Sequence, residues 1–190
     1  MHPESAEKNL PFLGVLMLDT SFPRVIGDAG NTDSYPFPVK IRRIKGAGAP
    51  DVVQASGPDK VLFDQFLSAA LDMQAEGAIS IISTCGFLVH FQDELARALQ
   101  IPAMLSALSM YPLLQASFGA APICILTASE HSLRGGGLAA AGIKGKEVHL
   151  VGFDTCSAFA DVILSAKSHS RQQLDTQAIA EFARTRTLAV

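Results

Sequence analysis

The sequence predicts an α/β fold with a mainly parallel sheet flanked by helices. Two observations lead to this prediction. Short apolar runs alternate along the chain with amphipathic stretches of helical period, and strands that alternate with helices imply right-handed crossovers between parallel strands. The chain has 190 residues, 48% of them hydrophobic. That is enough for one domain, or two small ones, with a stable core.

Six short apolar runs predict the strands. The run at 78–83 (AISIIS) carries no charge, which is typical of a strand covered on both faces, whereas the run at 39–44 (VKIRRI) is more polar. The predicted strands, in chain order, are 12–18, 39–44, 78–83, 101–105, 123–127 and 147–151.

Start signals and apolar spacing predict the helices between these strands. Pro58 and Asp59 suit the first turn of a helix, because proline needs no N–H partner there and a carboxylate favours the positive end of the helix dipole. Apolar residues then recur at helical spacing until Gly77. A helix beginning at Ser129 is weakened by the three glycines at 135–137. Further helices are predicted over 88–99 and 109–118, and from near 155 and near 175.

An uncharged stretch runs from Ala98 to Ser129 and is long enough to cross a bilayer. Prolines at positions 102, 112 and 122 interrupt it at regular intervals. A buried strand–helix–strand unit cut at its prolines is therefore favoured over a membrane segment, and no membrane association is expected.

Composition and charge exclude several classes of protein. Fifteen Lys and Arg residues stand against 18 Asp and Glu, a formal net charge of −3, which argues against a nucleic-acid-binding surface. The three cysteines are far apart, and neither they nor the histidines show metal-ligand spacing. We expect no disulfide scaffold and no metal. Residues 1–11 are polar and mixed in charge, so we expect no secretory signal there and a cytoplasmic location.

Functional groups of parallel α/β sheets collect at the carboxyl ends of the strands. The residues that follow four predicted strands are rich in hydroxyls and small side chains. Candidate substrate-binding residues there are Asp19, Thr84, Gly86, Thr127 and Ser129. The loop at 19–37 is long for this architecture, and a binding loop or lid and a solvated surface excursion are both open interpretations.

Cys85 is the candidate catalytic residue. It is expected where the strand at 78–83 ends and a helix begins, and the free N–H groups and positive dipole of a helix N-terminus favour a thiolate. Inert packing of a buried cysteine is the alternative. Cys124 lies within an apolar run and is predicted to be core. His131 is the one plausible partner for a Cys/His hydrolase dyad, although a surface histidine is the simpler interpretation.

Four segments together resemble the aspartate/glutamate (hydantoin) racemase superfamily. They are 27–31 (GDAGN), 83–88 (STCGFL), 126–129 (LTAS) and 151–155 (VGFDT). The resemblance implies two pseudo-repeated α/β halves with the site in the cleft between them, and a reaction without pyridoxal phosphate, any other cofactor or metal. It implies that Cys85 is the first catalytic cysteine and that Asn31, Thr84 and Thr127 hold a substrate carboxylate or amine.

The chain departs from that family in its second half. The resemblance divides it into a first half at 1–105, with Cys85, and a second half at 106–190 that is truncated relative to the family. The strand that should bear a partner cysteine is missing from this pattern. Cys156 follows an earlier strand and is a possible second thiol, because a helix is expected to begin beside it.

The hypothesis from the sequence is a cofactor-independent racemase or isomerase. It would move a proton at the α-carbon of an amino acid or related small-molecule carboxylate through a cysteine thiol. The lack of a second cysteine would impair this activity, and a homodimer is the expected assembly by resemblance to the family. A small-ligand-binding protein without catalysis and a Cys/His hydrolase are the alternatives.

Overall fold

The computed structural model describes residues 10–144, 148–165 and 174–188. Within these ranges the fold is α/β, with parallel strands flanked by helices, as predicted. A four-stranded sheet has the order β2-β1-β3-β4, and β5 and β6 form a separate two-stranded sheet. The strands are β1 (Phe12–Leu18), β2 (Val39–Ile44), β3 (Ala78–Ser83), β4 (Ala103–Met104), β5 (Cys124–Thr127) and β6 (His149–Gly152).

The register of the larger sheet brings three strand ends to one edge. β1 pairs in parallel with β2, with Leu18 opposite Ile44, and with β3, with Leu16 opposite Ser83. β4 continues the sheet beyond β3. Because parallel strands end at the same edge, the loop after β1 and the turn after β3 emerge side by side.

The main helix covers the larger sheet. The Asp59 carboxylate caps it by accepting a hydrogen bond from the Leu62 N–H at 2.9 Å. Phe66, Ala70 and Met73 lie one turn apart on it and are fully buried in the core with the sheet. The helices are α1 (Ala49–Val52), α2 (Lys60–Ala75), α3 (Gln92–Ala98, after a 3-10 turn at Gly86–Phe91), α4 (Tyr111–Phe118), α5 (residues 130–140), α6 (residues 157–164) and α7 (Thr176–Thr187).

The uncharged stretch forms the predicted strand–helix–strand succession of β4, α4 and β5, but the expected burial of α4 and of much of β5 is wrong. No residue of α4 is buried, and Leu113, Phe118 and Leu126 expose more than half of their surface. In the described ranges β5 pairs only with β6, and of its apolar side chains Ile125 packs against the core while Leu126 is exposed. None of the helices in these ranges has the length and hydropathy needed to cross a membrane.

The second half does not reproduce the first in the described part of the chain. Four strands make up the first sheet and two the second, so the predicted pseudo-repeat is not confirmed. β6 begins at His149, and the predicted start of that strand at 147 lies outside the described residues. The division at 105/106 remains a prediction.

The glycines at 135–137 do not end a helix. Residues 130–140 are helical throughout, with a π-helical turn at Leu133–Gly137. A Cβ at Gly135 would collide with the Ala55 side chain, and one at Gly136 with the Ala55 carbonyl oxygen. These glycines are therefore needed for close approach of α5 to the loop after α1, a tertiary requirement that overrides helix propensity.

Gly136→Ala is expected to lower the free energy of unfolding by about 1–3 kcal/mol, because the new methyl group meets a backbone carbonyl that cannot rotate away. Urea denaturation followed by circular dichroism measures this change. Ala139→Ser, at an exposed position of the same helix, is the control and should change stability by less than about 0.5 kcal/mol. Equal stability of the two variants would contradict the packing argument.

Candidate functional site

A cavity of about 670 Å³ lies at the carboxyl edge of the larger sheet and extends to β5, α6 and α7. Residues of the larger sheet's loops and residues of the β5–β6 region both line this cavity. Most of the lining is apolar, which is usual for small-molecule sites. The loops that follow β1, β3 and β4 contribute polar side chains and one thiol to the lining. They are Thr20, Arg24, Asp28, Thr84, Cys85 and Ser106.

Cys85 lines this cavity at the predicted position. It lies two residues after the end of β3 and directly precedes the 3-10 turn Gly86–Phe91. Burial raises the pKa of its thiol to about 11, against the opposing effects of the Phe87 and Leu88 backbone N–H groups and of the Arg24 charge. The N–H groups at the start of the turn thus favour the thiolate as the sequence suggested, but desolvation outweighs them. The thiol form predominates at neutral pH in the free protein.

The Ser83 side chain fixes the backbone around Cys85. The Ser83 hydroxyl donates to the Leu105 carbonyl at 2.6 Å and accepts from the Cys85 N–H at 3.2 Å. This bridge ties the end of β3 to the segment after β4. Thr84 and Gly86 line the cavity on either side of Cys85, so the structure brings these three predicted residues together.

Arg24 is the residue that the sequence analysis did not single out as a site residue. Its guanidinium donates from Nη1 to the Asp28 carboxylate and from Nη2 to the Thr20 hydroxyl, each at 2.8 Å. Its Cζ lies 4.5 Å from the centroid of the Phe22 ring. The side chain is only 14% exposed and lines the same cavity as Cys85. The site therefore contains a fixed, largely buried cation.

The loop at 19–37 is built around this arginine. A Cβ at Gly30 would lie 2.5 Å from the Arg24 Cδ, so glycine gives the side chain room. The Asn31 amide donates to the Arg24 carbonyl at 2.9 Å and accepts from the Asp33 N–H at 2.8 Å. Asn31 was predicted to bind substrate, but it is not among the cavity-lining residues. Its contacts hold the loop in shape.

The other predicted binding residues have different positions. Thr127 is buried and lines the cavity. The Ser129 hydroxyl accepts from the Ser132 N–H as the cap of α5 and donates to the Asp154 carboxylate, each at 3.2 Å. The Asp19 carboxylate accepts from the Gly46 N–H at 2.9 Å. Ser129 and Asp19 lie outside the cavity lining.

The burial of Cys124 and of Cys156 differs from what their proposed roles require. Cys124 was predicted to be core, but it is exposed and lines the cavity. The prediction was wrong because an apolar strand has the same sequence pattern whether one of its faces is covered or open. Cys156, the possible second thiol, is 6% exposed and is not part of the lining.

The histidines do not supply a partner for Cys85 within the described ranges. His131 is exposed at the start of α5, and neither it, His90 nor His149 lines the cavity. Burial lowers the pKa of His90, whose ring packs against Gly57 and Gly136 instead. No cluster of three or more His, Cys, Asp or Glu side chains suited to a metal ion occurs among the residues that the structure describes.

No protein-family model matches the sequence. Several curated proteins are similar to it. Dimethylsulfoniopropionate lyase 7 of Emiliania huxleyi (strain CCMP1516) is 30% identical over 125 residues, which are 65% of this chain and 36% of that protein. A dimethylsulfoniopropionate lyase of Durusdinium sp. clade D is 32% identical over 123 residues, 64% of this chain and 40% of the relative. The chain thus spans well under half the length of these relatives.

These relatives overturn the racemase interpretation. Proteins about 30% identical to the chain are named dimethylsulfoniopropionate lyases, not aspartate/glutamate racemases. The assignment to the racemase superfamily, and with it the proposed racemisation or isomerisation at the α-carbon of an amino acid, is wrong. The expectation that the chain resembles enzymes holds, since the relatives are lyases.

Proposed function

We propose that the chain is a lyase that cleaves dimethylsulfoniopropionate to dimethyl sulfide and acrylate by β-elimination, with Cys85 as the base. The observation that carries the proposal is a thiol at the head of a helical turn that opens into a cavity of small-molecule size. The names of the relatives supply the substrate. Because the chain covers 36–40% of those relatives, the activity is a proposal for this chain.

The reaction requires one base. The Cys85 thiolate takes a proton from the carbon next to the carboxylate. The electron pair of that C–H bond forms the carbon–carbon double bond, and the bond between the β-carbon and the sulfonium sulfur breaks. Its electron pair leaves with sulfur as neutral dimethyl sulfide, acrylate remains, and the thiol later gives its proton to water. A racemase must return a proton on the opposite face, whereas elimination needs no second thiol.

The lining of the cavity suits a sulfonium ion that carries two methyl groups. Most of its surface is apolar, and the aromatic residues Tyr111 and Phe159 are part of it. Aromatic faces attract cations whose charge is poorly hydrated. The substrate's methyl groups would be taken out of water while its positive charge stays close to π-systems.

The positive charge of the substrate would also favour the thiolate form of Cys85. Burial raises the pKa of the free thiol to about 11, so little thiolate exists at neutral pH. A sulfonium ion bound in the same cavity places a positive charge near the sulfur, and an adjacent opposite charge favours the ionised form once the substrate's own carboxylate is paired with a protein cation. Binding of the substrate would therefore generate the base that consumes it.

The direct test is incubation of the purified chain with dimethylsulfoniopropionate. Headspace gas chromatography measures dimethyl sulfide and proton NMR measures acrylate, and the two should appear in equal amounts. 3-(Methylthio)propionate is the matched control, because it keeps the carboxylate but lacks the cationic leaving group, and it should not be cleaved. A folded chain that releases no dimethyl sulfide above the rate in buffer would refute the lyase proposal. Binding without cleavage would instead indicate a ligand-binding protein.

A further inference from the structure

We propose that Arg24 forms the carboxylate subsite of this cavity and thereby selects small monocarboxylates as ligands. The inference deepens the proposed function and rests on it for the identity of the substrate. It stands on the position of one largely buried guanidinium, on its remaining hydrogen-bonding capacity and on the loop that holds it in place.

The guanidinium has donors left for a ligand. It carries five N–H groups, and the bonds to Asp28 and Thr20 use one from Nη1 and one from Nη2. In the described part of the chain this leaves three donors on a side chain that faces the cavity. Arginine matches a carboxylate with two parallel N–H···O bonds better than any other side chain does.

The Asp28 carboxylate does not make a ligand redundant. One oxygen of it accepts both from Arg24 Nη1 at 2.8 Å and from the Gly30 N–H at 2.6 Å. It is thereby anchored to the loop backbone and fixes the direction of the guanidinium. The Thr20 hydroxyl, itself only 4% exposed, holds the other Nη group. Asp28 and Thr20 are therefore positioning residues, and their contacts preorganise the cation.

The proposed subsite and the Cys85 thiol belong to the same cavity. Arg24 and Cys85 line one cavity, and the positive charge of Arg24 acts on the Cys85 sulfur. In a propionate chain the carboxylate is bonded to the carbon that loses its proton. A carboxylate held at Arg24 would keep that carbon near Cys85 and direct the sulfonium end towards the apolar lining. Neutralising the carboxylate also makes the neighbouring C–H bond easier to ionise.

Calorimetric titration with propionate tests the subsite without turnover. We expect wild type and Cys85→Ser to bind propionate, and Arg24→Gln to bind it at least about 30-fold more weakly, in the range for loss of one partner of a largely buried ion pair. Arg24→Lys should retain part of the affinity because it keeps the charge but loses the fork. Propionamide, which has the same size without charge, should bind weakly and equally to wild type and Arg24→Gln.

Two further variants guard against loss of the loop structure. Arg24→Gln leaves Asp28 unpaired, so the double variant Arg24→Gln/Asp28→Asn is measured beside it, with circular dichroism as the test of folding. Arg43→Gln, which removes an exposed arginine on β2, should bind propionate like wild type. Unchanged propionate binding by a folded Arg24→Gln variant would overturn the proposal, and so would a wild type that binds no carboxylate.

The same measurements separate this inference from the lyase proposal. Propionate binding that depends on Arg24 in a chain that releases no dimethyl sulfide would support the subsite and refute the lyase. Release of dimethyl sulfide with KM unchanged in Arg24→Gln would support the lyase and overturn the subsite. If both proposals hold, Arg24→Gln raises KM for dimethylsulfoniopropionate, and Arg24→Lys raises it less.

Discussion

Replacement of Cys85 by serine is expected to lower kcat for release of dimethyl sulfide about 10³-fold, in the middle of the range for loss of a general base. The serine hydroxyl is nearly isosteric, but it ionises far less readily than a thiol in the same environment. The backbone N–H groups of Phe87 and Leu88 that face the sulfur would remain in place. Substrate binding should therefore change little, and the loss should fall on kcat. Headspace gas chromatography under substrate saturation measures it.

Cys156→Ala is the matched control for this experiment. Cys156 also precedes a helical turn, but it is buried and lies outside the cavity lining. Its replacement should leave kcat within about twofold of wild type if the fold is kept, since a distant packing residue does not enter the chemistry. A Cys85→Ser variant with wild-type kcat would show that another group is the base. Equal losses in both variants would indicate a structural effect of cysteine replacement.

The sequence was sufficient to predict three strands of the larger sheet because local signals there agree with tertiary packing, whereas β4 is shorter than the predicted 101–105. The bounds of β1, β2 and β3 follow from short runs between turn residues. α2 begins at Lys60, so Asp59 caps this helix and Pro58 precedes the cap, whereas both were predicted to lie in the first turn. Cys85 could be placed at the site from the rule that functional groups lie at strand carboxyl ends. Such predictions succeed where the local preference and the global fold point the same way.

The arrangement of the 19–37 loop and the helix at 130–140 could not be predicted, because they depend on tertiary contacts that no local sequence pattern shows. The position of Arg24 arises because Asp28, Gly30 and Asn31 close a loop around it, and a loop has no period to reveal this. The glycines at 135–137 argue against a helix by propensity, yet they are helical because α5 must approach Ala55 closely. In each case a tertiary contact decides the outcome over the local preference.

The mistaken family assignment has a chemical reason. The segment around Cys85 describes a strand, a thiol and a helical turn, which is the local geometry that any thiol-based proton abstraction needs. It does not specify what happens to the electron pair afterwards. Return of a proton gives an isomerase, whereas departure of a β-substituent gives a lyase. That distinction depends on the leaving group and on the lining around it, which the sequence motif does not contain.

The pH dependence of cleavage should show this base directly. Burial raises the pKa of the Cys85 thiol to about 11, and the base is the deprotonated form. kcat/KM, which reports the free enzyme, should therefore rise about tenfold per pH unit from pH 7 to 10, with no plateau in that range. The rate of hydroxide-driven cleavage in buffer is subtracted at each pH, and circular dichroism checks that the chain remains folded.

The profile of kcat should differ from that of kcat/KM in a definite direction. kcat reports the enzyme–substrate complex, in which the sulfonium ion of the proposed substrate would lie near the sulfur and favour the thiolate. Its inflection should therefore lie below that of kcat/KM, and Cys85→Ser should abolish the rise in both. A falling profile, or coincident inflections near neutral pH, would contradict a buried thiol that its own substrate ionises. The separation between the two inflections measures how strongly the bound cation acts on the sulfur, which links the apolar lining of the cavity to the chemistry at Cys85.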